Sequence, residues 1–108
     1  MLDEQLEQEC AEWVAEMISD QFDAFVPSMF CAMVFMTEDG VREDNSDPQM
    51  DHATMTDRII TIFEADPDMH AKENPDLPNL VFEILHWEDQ FRCMAGEDRH
   101  LRPPVGTR

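Results

Sequence analysis

Few residues of this chain have the types and spacing that chemistry demands. Glu83-Ile-Leu-His86 and Glu97-Asp-Arg-His100 each set a glutamate three residues before a histidine, the spacing that puts two metal ligands on one helix face in di-iron bundles. Such a centre needs two facing helical copies and two further glutamates in register, and the second copy here follows Gly96, a residue that ends helices. No metal ion is expected, and His86 reads as a partly buried or rim histidine beside Phe82 and Cys93. Cys31 or Cys93 could pair with His86 as a thiol nucleophile, but no orienting motif accompanies them, and a buried free cysteine behaves as a small hydrophobe.

Asp44-Asn-Ser-Asp47 and Asp66-Pro-Asp68 offer oxygen ligands, yet neither continues into the glycine and closing glutamate of a calcium loop. The three glycines, at 40, 96 and 106, cannot build a phosphate-cradling loop or a dinucleotide fingerprint. Neither a nucleophile elbow nor a His-Glu-x-x-His pair occurs. The residues predict a protein without catalysis or cofactor, a metal or thiol enzyme being the least favoured reading.

Interaction chemistry is better represented. The stretch Phe25-Val-Pro-Ser-Met-Phe-Cys-Ala-Met-Val-Phe-Met36 concentrates Met29, Phe30, Met33, Phe35 and Met36 in a chain with nine methionines and seven phenylalanines. Methionine is flexible and polarizable, which suits a surface that adapts to a partner's shape; the plainer reading is that these side chains fill a core. A second feature is the row Glu12, Glu16, Asp20, whose four-residue steps repeat at about 6 Å along a helix. That repeat approximates the spacing of phosphates along a nucleic acid strand, although a solvated helix face has the same pattern.

Charge sharpens the second feature. The formal net charge is −18, from 25 Asp and Glu against 7 Lys and Arg, so naked nucleic acid and anionic membrane surfaces are repelled and basic proteins attracted. Ten acidic residues precede the first basic one, Arg42. Acidity of this kind also serves solubility or adaptation to high salt.

The elements that must position these residues are helical. At 108 residues the chain is one domain with a modest core. Residues 2–25 carry Leu2, Leu6, Cys10, Trp13, Val14, Met17, Ile18, Phe22 and Phe25 at three- and four-residue steps, an amphipathic helix. Pro27 interrupts it, and Ser28 can cap a short apolar helix over 29–36, which could alternatively be a strand.

Residues 37–47 read as an exposed loop. Asp47-Pro48 reads as the start of a third helix, with Met55, Ile59, Ile62 and Phe63 as its stripe. Asp76 caps a last helix in which Leu77, Leu80, Val81, Ile84, Leu85, Trp87, Phe91 and Met94 keep the helical period until Gly96. The expected architecture is therefore all-α, three longer amphipathic helices plus one short apolar helix in a single domain over 1–95, with an α+β alternative and a flexible, mildly basic tail over 96–108.

Three cysteines and no visible signal peptide predict a cytoplasmic protein with reduced thiols, and no run reaches the length of a membrane span. The function expected from all this is that of a small acidic protein that binds and inhibits a nucleic-acid-binding protein, as an antiactivator of a transcription factor or as a DNA mimic. Met29, Phe30, Met33, Phe35, Met36, Glu12, Glu16 and Asp20 are the expected partner-binding residues. The alternative is a homodimer or assembly adaptor in which the same patch pairs with itself.

Overall fold

The computed structural model describes residues 3–97 together with Arg99 and Leu101. Four helices follow one another: α1 (Glu4–Phe22), α2 (Ser28–Asp44), α3 (His52–Ala65) and α4 (Leu77–Met94), with two short 3-10 turns, Pro67–Met69 and Ala71–Glu73, between the last two. No strand occurs among the described residues, so the stretch 29–36 is helical. The small all-helical bundle expected from the sequence is the fold.

Helix α1 packs against α2 and α4, and α3 packs against the same two helices. The apolar stripes meet in one cluster, with Val14 and Ile18 of α1, Cys31 and Val34 of α2, Met55 and Ile59 of α3, and Val81, Ile84 and Leu85 of α4 all buried. Fully burying an aliphatic side chain of this size stabilises by about 1.5–3 kcal/mol, so the stripes account for the bundle form. Among the described residues no helix is long and apolar enough to cross a membrane.

The helix ends are set locally. The Asp3 carboxylate accepts from the Leu6 amide at 2.8 Å and caps α1. Helix α1 stops at Phe22, short of Phe25, because Asp23 adopts a left-handed conformation at φ 51°, which aspartate tolerates better than most residues. Ser19 Oγ then accepts from the Val26 amide at 2.9 Å and holds the connection to α2.

Two expectations about α2 and α3 are corrected. Residues 37–47 are not a loop throughout: α2 continues through Asp44 and is a full helix of 17 residues rather than a short one. Val41 is buried against the core, the Glu38–Arg42 ion pair spans one turn, and an added side-chain carbon at Gly40 would meet open space. Tertiary burial thus overrides turn-forming composition.

Helix α3 begins at His52 rather than at Pro48, capped by Asp51, whose carboxylate accepts from the Thr54 amide at 3.0 Å and the Thr54 hydroxyl at 2.8 Å. At the last helix Asp76 occupies the capping position without a capping hydrogen bond from its side chain. Gly96 ends α4 as expected, at φ 76°, with the Glu97 amide donating back to the Arg92 carbonyl at 2.8 Å.

Candidate functional site

The outer face of α2 is where the exposed apolar side chains gather. The buried face is fixed by Cys31, Val34, Glu38 and Val41; at 100° per residue the opposite face is centred on Met29 and Met36, with Met33 at its border. Met29 is 81% exposed and Met36 75%. Phe25, in the connection just before α2, is 86% exposed.

Phe30, Met33 and Phe35 are half-buried and pack against the core cluster, and the Phe30 ring lies 6.4 Å from that of Phe63 on α3. The five expected apolar residues therefore divide: two project outward and three lean on the core. A helix apolar on both faces is normally buried on both, yet the outer face of α2 is open.

Beside this face lies a groove between α1 and α2, about 410 Å³ in volume, with Ala11, Ala32 and Phe35 among its apolar lining, Met29 and Met36 at its edge, and Glu88 and Arg92 of α4 also lining it. Glu4, Glu7 and Glu12 of α1 and Asp39 of α2, all four exposed, line it as well, together with the neutral Gln8 and Ser28. Of the expected acidic row, Glu12 lines this groove, and all of Glu12, Glu16 and Asp20 are exposed on α1. The structure thus brings Met29, Phe35, Met36 and Glu12 together at one groove, while Phe30 is turned toward α3.

Behind the groove sits a feature the sequence reading missed, a buried carboxylate pair. Glu38 of α2 is 0% exposed and Glu88 of α4 is 2% exposed. Glu38 Oε2 accepts from Arg42 and from Arg99, each at 2.7 Å, while Glu88 Oε2 lies 3.4 Å from Arg92 Nε and 3.5 Å from an Arg99 guanidinium nitrogen. Arg99 thereby ties the segment after α4 to both helices. The rest of the expected tail, apart from Gly96, Glu97 and Leu101, lies outside the described residues.

The two Oε1 atoms have no partner among the surrounding donors; one proton between the carboxyls satisfies both. Burial and then the charge of Glu38 push Glu88 well above the usual carboxylate range, which favours the proton at Glu88 over Glu38. Burial alone would raise Glu38 as well, but the hydrogen bond from Glu88 and the charges of Arg99 and Arg42 outweigh it and keep Glu38 ionised below the usual range. With one carboxyl neutral and three guanidinium groups in contact, the cluster reads as a structural clamp between α2, α4 and the tail.

The other chemical candidates do not converge. Glu83 accepts from Gln21 at 2.8 Å, and the Trp87 indole donates to Gln21 at 2.7 Å, so Glu83 belongs to a polar seam between α1 and α4. His86 is exposed, with its ring 5.8 Å from that of Trp87. His100 lies outside the described residues. Among the described residues no three His, Cys, Asp or Glu side chains come together as a metal site.

Cys10 and Cys31 are buried and Cys93 is exposed, all three as free thiols. Burial pushes both the Cys10 and the Cys31 thiol up to about 12, with Glu88 adding to the effect at Cys10. A neutral maleimide is therefore expected to label the native protein once per chain, at Cys93, and all three cysteines only after unfolding; mass spectrometry of the labelled chain checks this.

Compared with protein-family models, with curated proteins and with solved structures, the chain matches none.

Proposed function

We propose that this protein acts by binding and sequestering a basic, nucleic-acid-binding protein, as an antiactivator or as a DNA mimic. The observation that carries the reading is the outward exposure of Met29 and Met36 on α2, next to exposed carboxylates of α1. Contiguous exposed apolar surface marks interaction sites in small proteins. Adaptable methionine contacts supply buried area while the carboxylates steer a basic partner toward it.

Self-pairing of the same face is the rival reading. It is disfavoured by charge, since each copy would bring Glu4, Glu7, Glu12 and Asp39 to an interface flanked by the partner's identical carboxylates, in a chain of net charge −18. A basic partner gains from the same arrangement.

Reversal of Glu12, Glu16 and Asp20 together to lysine tests the reading. All three side chains are exposed, so the bundle stays folded. Association with the basic partner captured from the native host should slow by about 10- to 1000-fold at low salt and lose most of its salt dependence. Stopped-flow rates unchanged by the reversal would rule out steering by this helix, and failure of the complex to compete with the partner's DNA would rule out inhibition.

A further inference from the structure

The groove between α1 and α2 indicates what its ligand is made of. It follows α2 from Ser28 to Asp39, a length of about 16 Å or three helical turns. Beyond the first turns at Glu4 and Ser28, both walls are helix interiors whose backbone donors and acceptors are consumed internally. A segment lying in this groove must satisfy its own backbone groups, which an extended strand here could not do and a helix does. Ala11 of α1 and Ala32 of α2 are both small residues in the lining, which leaves room for the side chains of a third helix.

Charge identifies the other face of that ligand. The exposed acids along the groove are Glu4, Glu7 and Glu12, with Asp39 already 3.9 Å from the Arg99 guanidinium, and its lining cation, Arg92, is buried and engaged with Glu88. We infer that the groove binds one amphipathic helix of a partner protein, apolar on the side that meets Met29, Phe35 and Met36, and rich in lysine and arginine on its flanks. This inference rests on the proposed function and names the element of the partner that is recognised. A second copy of this chain does not fit, because its own exposed apolar face on α2 is flanked by carboxylates.

The probe is a synthetic amphipathic peptide about 18 residues long, with leucine and alanine on one face and lysine and arginine on the other. A control peptide keeps the apolar face and carries glutamate at every basic position. Both are titrated into protein bearing methyl-labelled methionine, with affinity read from labelled peptide.

The basic peptide should shift the methyl signals of Met29 and Met36, leave those of the buried Met50 and Met55 in place, and bind at least about tenfold more tightly than the control. Met36→Glu should weaken that binding at least about tenfold even though it makes the protein more acidic, which separates seating in the groove from mere charge attraction. Met29→Gln, also at an exposed site, serves the same purpose if Met36→Glu perturbs the fold by circular dichroism.

Equal binding of the two peptides, shifts confined to Met69 beside the separate groove near Phe25, or Met36→Glu binding as well as the parent would overturn the inference. If the host partner's binding is lost with the reversed carboxylates of α1 but is indifferent to Met36→Glu, the groove assignment falls and the sequestering function stands. If neither variant affects the host partner, both fall.

Discussion

Replacing Glu38 by alanine is expected to lower the unfolding free energy by about 3–5 kcal/mol, the range seen when one member of a buried ion pair is removed. Arg42 and Arg99 each lose their shortest contact, 2.7 Å to Glu38 Oε2, and keep longer ones, to the Met50 carbonyl at 3.2 Å for Arg42 and to the carboxylates of Glu88 at 3.5 Å and Asp39 at 3.9 Å for Arg99. The cost is large because the arginines retain their charge inside the bundle and the replacement anion, Glu88, has to ionise in a buried site where desolvation opposes it. Conversion of the whole cluster to apolar residues of similar volume should cost far less, since a buried ion network contributes little net stability over a packed core. Urea unfolding of Glu38→Ala, set beside a variant in which Glu38, Glu88 and their arginines are all made apolar, measures the difference.

The second large effect is in pH. Glu88 is raised in the folded protein, so its contribution to stability is fully present below its unfolded value and is lost as pH rises through the folded one. Glu38 is lowered, so its contribution is present above its unfolded value and is lost as pH falls through the folded one. Stability should therefore rise as pH falls from neutral toward the ordinary glutamate range and then drop below it.

Each unit by which the folded protein raises Glu88 appears as about 1.4 kcal/mol over that limb. Relief of repulsion in a chain of net charge −18 acts in the same direction. Glu88→Gln separates the two: the amide keeps a neutral hydrogen-bond donor toward Glu38, so the part of the rise due to Glu88 disappears and the part due to net charge stays. Thermal melts of both proteins across the acid range decide between them, and parallel curves would contradict the shared-proton description.

Both predictions concern a cluster that sequence reasoning passed over, and the reason is instructive. Thr37-Glu-Asp-Gly40 has the composition of a turn, which ended the expected helix before Glu38 counted as part of it. Glu38 nevertheless continues the series Cys31, Val34 and Val41, and Glu88 continues Val81, Ile84 and Leu85, each with an arginine four residues on. A carboxylate on the buried stripe with an arginine one turn later is the signal that was present. Arg99 left none, because its docking depends on where the chain turns after Gly96.

The helices α1 and α4 were legible because their apolar residues occupy one stripe and their acidic ones another. Helix α2 was harder for the opposite reason: Met29, Phe30, Met33, Phe35 and Met36 lie all round it, and an all-apolar segment does not announce which side meets the core. Packing against α1 and α3 chose the side of Cys31, Val34 and Val41, leaving Met29 and Met36 outside. The same choice of side created the groove with Glu12 at its margin.

The outer face of α2 exposes Met29 and Met36 in the free protein, and under the proposed function a basic partner covers it. The most direct test follows the methionine methyl signals, with a soluble paramagnetic agent present, before and after adding the basic partner captured from the host. Free protein should show Met29 and Met36 strongly relaxed and the buried Met50 and Met55 untouched, and the complex should protect Met29 and Met36. Protection of Met29 and Met36 already in the free protein, or continued exposure once the complex has formed, would contradict the account.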